Sequence, residues 1–439
     1  EIRFCDWSSD VCSSDLTKIR ILENPENLAA GNFMETVNFY DDKARVIQVQ
    51  AENYKGGADI ITNLYDFTGK VLSNYTLHNS PQGADVRIQT NIKYDHAGRL
   101  LETWKIINDD NTKKTLIAKN EYDELGQPKR KELGRKKDEN GNYTSEPIEK
   151  LDYTYNIRGW LKGINKYYAA NHNTQETDRW FGMELNYDWG FETNQFNGNI
   201  AGTKWRSKGD GEQRAYGFGY DQVNRIMYAD FNQYTSGWNK TAGIDFSSYM
   251  GDGINPSSAY DANGNIKAMK QWGLKGFTRS PIDEMAYAYL GGPNENSNKL
   301  KSVTESPTLG NTNNQLGDFT DLNRDGTDDY TYDNNGNLLT DKNKSLLEIR
   351  YNHLNLPYLI RMPGLIQPRT IEYTYDALGN KLRKTVYDRG YKRPYYKITE
   401  YISGFVYEGS ATGGSALEIV EAQLVTPQFF THEEGRARF

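Results

Sequence analysis

Aromatic residues alternate with threonine just before several Tyr-Asp dipeptides in this chain. Residues two apart lie on the same face of a β-strand, so the alternation predicts strands with one packed face. Tyrosine suits such half-exposed faces, and we expect its ring to pack while its hydroxyl stays in water. The clearest pairs are Tyr153 and Tyr155, Tyr330 and Tyr332, and Tyr373 and Tyr375.

A tight turn is predicted after each of these strands. The recurring pattern is Tyr-Asp-x-x-Gly, followed by Arg, Asn or Lys and then an aliphatic residue. The Asp carboxylate can accept a hydrogen bond from the backbone two residues on. The glycine supplies the positive φ that ends the turn, and the residues after it begin the returning strand. Each copy is therefore predicted to be a strand, a turn and a strand.

Six copies keep the Tyr, Asp and Gly positions together. They are Tyr65, Asp66 and Gly69; Tyr94, Asp95 and Gly98; Tyr122, Asp123 and Gly126; Tyr260, Asp261 and Gly264; Tyr332, Asp333 and Gly336; and Tyr375, Asp376 and Gly379. Weaker copies begin at Tyr40, Tyr155, Tyr220 and Tyr351. A degenerate copy around Tyr287, Tyr289 and the Asn298-Lys299-Leu300 run is expected between Tyr260 and Tyr332.

Tandem hairpins of this kind predict an all-β fold. A lone two-stranded hairpin is marginally stable, so neighbouring copies are expected to pair into a long curved or spiralling antiparallel sheet. Hydrophobic residues are only 36% of the 439 residues, and 32 of the residues are tyrosine. This thin aliphatic content favours a curved wall around a wide interior over a compact core. The alternative is a set of separate small β-sandwiches.

The first residues are expected to be foreign to the fold. Asp6 to Leu16 read DWSSDVCSSDL, which matches the translation of a common sequencing-library adapter. We therefore interpret residues 1–16 as an adapter-derived artefact and expect them to be disordered. Both cysteines, Cys5 and Cys12, lie there, which leaves the remaining chain without a thiol for disulfides or metals.

The rest of the chain is predicted to be one continuous array. Residues 17–39 are expected to form lead-in strands, residues 40–398 the repeat array, and residues 399–439 further C-terminal strands. The formal net charge is −7 with both signs interspersed, which argues against nucleic acid as a partner. No stretch approaches the roughly 18 apolar residues of a membrane-spanning helix.

Catalytic motifs are missing from the sequence. The nucleophile-elbow, P-loop and dinucleotide-binding patterns are absent. The five histidines show no metal-ligand spacing, and the repeat aspartates are better explained as turn formers than as acids. We therefore expect no enzymatic activity. The histidines are His78, His96, His172, His353 and His432.

One Asp-rich segment predicts a calcium loop. Alternate oxygen-bearing residues flank Gly326, whose flexibility permits a sharp bend around a hard cation. The loop resembles those of thrombospondin-type and integrin-like repeats more than an EF-hand, because Tyr332 stands where an EF-hand has glutamate. The alternative is an Asp/Asn-rich linker into the strand at Tyr330. The predicted ligands are Asp321, Asn323, Asp325, Thr327 (through its carbonyl) and Asp329.

The repeated motif resembles that of YD-repeat, or RHS-repeat, proteins from about Tyr40 to Phe439. Further segments are similar to RHS proteins of Bacteroidetes-type bacteria. They are NIRGWLKGIN from Asn156, FNGNIAGTKW from Phe196, YGFGYDQVNRI from Tyr216, YNHLNLP from Tyr351, TEYISGFVYEG from Thr399 and QFFTHEEGRARF from Gln428.

This resemblance implies a secreted or cell-surface toxin shell. In the family, the repeats form a spiralling sheet that closes around a toxic C-terminal domain. An RHS core with an Asp-His-Leu-Gly-Asn-type motif plugs that shell and releases the toxin. The sequence lacks this motif and a toxin domain, so we expect a non-enzymatic shell segment whose partners are its own missing core and toxin domain.

A surface carbohydrate-binding or adhesion module is the alternative function. The family includes members of this kind, and exposed tryptophan rings could stack on sugars. The same rings could instead pack on the covered face of the sheet, because tryptophan is highly buried on average. The residues concerned are Trp180, Trp205, Trp238 and Trp272.

Overall fold

The computed structural model describes an antiparallel β protein. It covers residues 14–27, 31–81, 83–170, 179–291, 297–306, 319–322, 327–364, 367–389, 393–414, 416–424 and 426–438. Among these residues, 28 strands belong to one sheet and two strands form a separate hairpin. The predicted all-β fold of antiparallel hairpins is confirmed.

The strands in the described residues follow one another with few helices between them. They are β1 (Ser14–Leu22), β2 (Phe33–Tyr40), β3 (Val46–Glu52), β4 (Ala58–Tyr65), β5 (Val71–His78), β6 (Val86–Tyr94), β7 (Leu100–Ile107), β8 (Thr115–Tyr122), β9 (Pro128–Leu133), β10 (Glu149–Tyr155), β11 (Leu161–Ile164), β12 (Phe181–Asn186), β13 (Gly202–Ser207), β14 (Gln213–Tyr220) and β15 (Ile226–Tyr234). The later strands are β16 (Trp238–Asn239), β17 (Ser248–Met250), β18 (Ala268–Lys275), β19 (Thr278–Tyr289), β20 (Leu300–Glu305), β21 (Tyr330–Tyr332), β22 (Leu338–Asp341), β23 (Glu348–Tyr351), β24 (Pro357–Met362), β25 (Arg369–Asp376), β26 (Lys381–Arg389), β27 (Pro394–Ile402), β28 (Phe405–Thr412), β29 (Phe429–His432) and β30 (Gly435–Arg438).

Helical structure in the described residues is confined to short segments. They are α1 (Lys166–Ala170), α2 (Pro256–Ala259), α3 (Ala416–Gln423) and a 3-10 turn at Asn111–Lys113. None of these helices combines the length and the apolar character that crossing a membrane requires.

The chain divides into two compact units, although the sequence showed no boundary inside the array. Unit 1 comprises the described residues of Glu1–Asn120, Leu133–Ile148 and Ser345–Phe439, and unit 2 those of Glu121–Glu132 and Glu149–Lys344. Within each unit, most pairings join strands that follow one another in the sequence, because consecutive hairpins pair edge to edge.

Unit 1 contains two runs of sequential strands. Neighbours pair antiparallel from β1 to β8 and again from β23 to β30. The two runs meet where Ile21 and Leu22 of β1 pair with Asp376 and Tyr375 of β25. The hydrophobic core of this unit lies between β6, β27, β28 and α3. Its buried members are Val86, Ile88, Ile398, Ile402, Phe405, Tyr407, Val420, Leu424 and Phe430.

Unit 2 continues the hairpin pattern from β9 to β20. Strand β15 pairs with β14 and, at separate residues, with β16 and β17. The hairpin of β21 and β22 is the separate one. A small core cluster joins Met227, Ala259 and Tyr260. The degenerate copy predicted around Tyr289 is confirmed, because Tyr289 pairs with Leu300 across the same bulge as other copies.

The N-terminal boundary expected after Leu16 falls inside β1. Ser14, Asp15 and Leu16 pair with Phe39, Asn38 and Val37 of β2. The Asp15 carboxylate also accepts hydrogen bonds from the Asn38 side chain at 2.8 Å and the Tyr40 hydroxyl at 3.0 Å. The expected disorder is therefore wrong for these three residues. Residues 1–13 lie outside the described residues, and the adapter origin of the segment stays a prediction.

The Tyr-Asp copies are reversals of chain direction, as predicted. In all six full copies the Gly N–H donates to the Asp carbonyl at 2.9–3.2 Å, and the Asp N–H donates to the carbonyl after the glycine at 2.8–3.0 Å. The six glycines have φ between +79° and +91°. In the weaker copies, Ala44, Asn224 and Asn355 hold this left-handed position with φ of 58°, 66° and 58°.

The positive φ at the glycine position predicts how substitutions there change the stability of the protein. Gly264 has φ +86° and no atom within 4 Å of an added Cβ, so Gly264→Ala tests the backbone conformation alone. We expect it to lower the free energy of unfolding by about 1 kcal/mol, because L-residues are disfavoured at positive φ. Ala44→Gly should raise it by a similar amount. Urea denaturation measures both changes.

The control for this pair is Gly237→Ala. Gly237 also has open space around it but lies outside the left-handed region, so its substitution should leave stability nearly unchanged. Equal stabilities for Gly264→Ala and the parent protein would show that the turn does not depend on that conformation.

Candidate functional site

Each repeat turn is organised by the Asp carboxylate. In the second full copy, Asp95 Oδ1 accepts the backbone N–H groups of Ala97 at 2.9 Å and Arg99 at 2.8 Å. Its Oδ2 accepts the Arg99 side chain at 2.7 Å. The sequence predicted only the bond two residues on. The additional bond from the Arg99 side chain to Asp95 explains why Arg follows the glycine in this copy.

Asparagine can replace that arginine. Asp376 Oδ1 accepts Leu378 N–H at 2.9 Å and Asn380 N–H at 2.8 Å, while Asp376 Oδ2 accepts Asn380 Nδ2 at 2.9 Å. The same pair of backbone bonds recurs at all six full copies, at Asp66, Asp95, Asp123, Asp261, Asp333 and Asp376. The repeat aspartates therefore act as turn formers.

These contacts favour the ionised form of Asp95 and Asp41. The backbone N–H of Arg99 is the largest cause that holds the pKa of Asp95 below its ordinary value. The backbone N–H of Arg45 does the same for the pKa of Asp41 in the weaker copy at Tyr40. A carboxylate that accepts several hydrogen bonds is stabilised in its charged form.

The repeat tyrosines link neighbouring copies, which the sequence did not predict. The Tyr65 hydroxyl donates to the backbone carbonyl of Val46 at 2.8 Å, and Val46 is the aliphatic position of the preceding copy. The expectation that these hydroxyls stay in water is therefore wrong. Among the described residues the bond recurs from Tyr94 to Val71, Tyr187 to Leu161, Tyr220 to Ile200, Tyr260 to Ile226, Tyr289 to Ile266, Tyr332 to Leu300 and Tyr375 to Pro357, at 2.5–3.1 Å.

A cation adds a second link between copies. The residue after the glycine position of one copy lies over the tyrosine ring of the next. Arg45 Cζ is 5.0 Å from the centre of the Tyr65 ring, and Arg225 Cζ is 4.4 Å from that of Tyr260. Arg45 also donates to the Asp66 carbonyl at 2.9 Å. Arg at this position thus binds its own turn and the following one, with favourable cation–π geometry.

A buried polar cluster joins the early and late strands of unit 1. His78 at the end of β5 is fully buried, with Nδ1 2.5 Å from Asp59 Oδ1 and Nε2 2.7 Å from the Tyr407 hydroxyl. Ser403 Oγ donates to the other Asp59 oxygen at 2.5 Å. Phe405 stacks on the imidazole at 4.0 Å. Both ring nitrogens are engaged, so His78 connects β4 and β5 with β28.

The predicted calcium loop is only partly described. Asn323 and Asp325 lie outside the described residues. Asp321 and Asp329 are buried, and their carboxylates accept the backbone N–H groups of Glu305 at 3.3 Å and Val303 at 2.7 Å.

Thr327, whose carbonyl is the remaining predicted calcium ligand, forms a hydrogen bond through its side chain. Thr327 Oγ1 accepts a hydrogen bond from Lys342 at 2.8 Å. The described residues contain no group of three or more His, Cys, Asp or Glu side chains placed to hold a metal ion. Calcium binding stays a prediction.

The four tryptophans proposed for sugar stacking differ in exposure. Trp205 stacks on Tyr216 at 5.4 Å and is half-buried, and Trp272 is also half-buried. Trp180 is 56% exposed, with Lys208 Nζ 4.9 Å above its ring. Trp238 packs edge-on against Tyr234 at 5.5 Å and lines a cavity in unit 2.

Removing one inter-copy hydroxyl should weaken the sheet. Tyr375 is buried and donates to the Pro357 carbonyl at 2.9 Å. We expect Tyr375→Phe to lower the free energy of unfolding by about 1 kcal/mol, which is typical of one lost hydrogen bond. Tyr143→Phe is the control, because Tyr143 is 39% exposed. Equal losses in urea denaturation of the two variants would argue against the inter-copy bond.

Buried tyrosines also predict an alkaline limit to stability. Burial raises the pKa of Tyr330, Tyr375 and Tyr407 from 10.0 to about 12. Their contribution to stability is complete below pH 10.0, the unfolded value, and is lost as the pH rises to about 12. Phenolate absorbance should therefore rise together with the loss of β-sheet circular dichroism.

The Tyr375→Phe variant serves again as the internal check on this pH dependence. It removes one of the titrating groups, so its free energy of unfolding should fall less steeply with pH across the same window. A decline as steep as that of the parent protein would contradict the assignment.

Comparison with known proteins gives structural matches of low similarity. No family model matches this chain, and no curated protein matches it. The chain is similar to one in the solved structure of TcdB2-TccC3-TEV, with a TM-score of 0.36, 10% identity, and coverage of 90% of this chain and 25% of that chain. For the solved structure of TcdB2-TccC3 the TM-score is 0.25 and the identity 11%, with the same 90% and 25% coverage. This chain thus spans about a quarter of the length of each of these two chains.

Proposed function

We propose that this chain is a wall segment of a secreted or cell-surface shell of the RHS/YD-repeat kind. The shell would enclose a C-terminal toxin domain, and the wall itself would have no catalytic role. The observation that carries the proposal is the repeated bond from the tyrosine hydroxyl of one copy to a backbone carbonyl of the preceding copy. Such a bond joins hairpins side by side, which is what a wall requires.

The distribution of buried residues supports a wall over separate compact domains. The core cluster of unit 2 contains only Met227, Ala259 and Tyr260 as its buried members. A few strands, such as β6 and β12, bury alternate residues, whereas others, such as β2 and β9, contain no buried residue. A sheet held together along its turns and edges can remain one layer thick, and a curved single layer is suited to surrounding a cargo.

Surface glycan binding is the second candidate function. The observation that favours it is the cavity in unit 2 lined by Phe191, Tyr228 and Trp238. This function does not compete with the first, because a shell wall can also bind a ligand.

Protection of a cargo tests the shell function. An unstructured, protease-sensitive polypeptide attached after Phe439 should be cleaved at least about tenfold more slowly than the same polypeptide mixed with the free chain, because enclosure limits access of the protease. Gel electrophoresis over a protease time course measures both rates. Cleavage of the attached cargo at the rate of the mixed cargo, with the β-sheet intact, would overturn the proposal.

A further inference from the structure

A cavity of about 640 Å³ lies in unit 2 beside strands β13, β14 and β15. Pockets for small ligands generally have volumes of about 300–1,000 Å³ and combine apolar walls with a few polar groups. The residues that line this cavity include the aromatic side chains of Phe191, Tyr228 and Trp238 and the polar side chains of Lys204, Asp230 and Asn232.

The aromatic walls are fixed by glycines beneath them. A Cβ added to Gly202 would lie 2.3 Å from the Phe191 ring, and one added to Gly219 would lie 2.1 Å from the Tyr228 ring. Both rings therefore lie directly against backbone. The backbone contact restrains both rings, so binding would require little reorganisation.

The ammonium group of Lys204 lies near several aromatic rings. Lys204 Nζ lies 5.9 Å from the centre of the Trp189 ring, 5.7 Å from that of Phe191 and 5.8 Å from that of Trp238. Its charge is offset by Glu184 Oε2 at 3.6 Å. A cationic ligand such as a quaternary ammonium group would be repelled by the positive charge of Lys204, which makes that class a poor fit.

A second charged group in the cavity, Asp230, is also neutralised by the protein, whereas the carboxylate of Glu192 is exposed to solvent. Asp230 Oδ1 lies 2.9 Å from Lys240 Nζ, and Asp230 Oδ2 accepts the Asn232 side chain at 2.8 Å. Carboxylate and carboxamide groups held in this way can still exchange hydrogen bonds with hydroxyl groups. Because its main charges are internally paired, the cavity favours a ligand without net charge.

We propose that this cavity binds a neutral carbohydrate. The C–H face of a sugar ring would pack on Trp238 and Phe191, and its hydroxyl groups would bond to Asp230, Asn232 and Lys204. Aromatic faces combined with paired polar side chains fit a ligand that is apolar on its ring faces and polar at its edges. This inference rests on the second candidate function, glycan binding at this cavity, and not on the shell function.

Glycan binding by the full chain tests the proposal. The probe is an array of neutral glycans built from glucose, galactose, mannose and N-acetylhexosamines, with sialylated and sulfated glycans beside them. We expect neutral glycans to bind. Titration calorimetry with the best neutral glycan should show a Kd at least about tenfold weaker for Trp238→Ala, because the main stacking surface is lost. Trp104→Ala is the matched control and should bind as the parent does, because Trp104 does not line the cavity.

A second variant separates ligand contacts from folding. Asp230→Asn keeps the size of the side chain, and we expect it to weaken the same glycan about tenfold while circular dichroism stays unchanged. Absence of neutral-glycan binding, binding of acidic glycans alone, or full affinity in Asp230→Asn would each overturn the proposal. None of these outcomes bears on cargo protection, so the two functions are tested separately.

Discussion

The hydrogen bond between one hairpin and the next is the constraint on which the fold depends. A two-stranded hairpin has too little buried surface to be stable alone. Here the tyrosines that begin most of the turns donate to a backbone carbonyl of the preceding copy, as from Tyr65 to Val46 and from Tyr375 to Pro357. Because the acceptor is main chain, the side chain at that position is free to vary, and proline serves as well as valine.

The turns could be predicted because their chemistry is local. Asp66 and Gly69 are three residues apart, and all the bonds that define their turn close within five residues. Where the glycine is missing, the Asp or Asn still organises the turn, and Ala44 or Asn355 is held at positive φ. The predicted strand, turn and strand therefore survive in the weak copies as well as in the full ones.

Contacts between distant residues could not be predicted from spacing. His78 and Tyr407 are 329 positions apart, and nothing in the sequence around either residue indicates that they meet. Tyr187 also donates to the Leu161 carbonyl like a repeat tyrosine, and Asp188 follows it, but Gly190 comes one position too early for the repeat motif. The backbone N–H of Gln195 donates to the Tyr187 carbonyl at 2.7 Å. The residues between Tyr187 and Gln195 are therefore an insertion within this copy.

The cavity in unit 2 is a consequence of how the hairpins are joined. Strand β14 carries Ala215, Gly217 and Gly219 on one face, since residues two apart point the same way. Such a face could not hold a sheet together by packing, because it offers little apolar surface. The bonds at the turns, such as the one from Tyr220 to the Ile200 carbonyl, supply that cohesion instead. The small residues are then free to leave space above the sheet, and the rings of Phe191 and Tyr228 lie in that space as walls of the cavity.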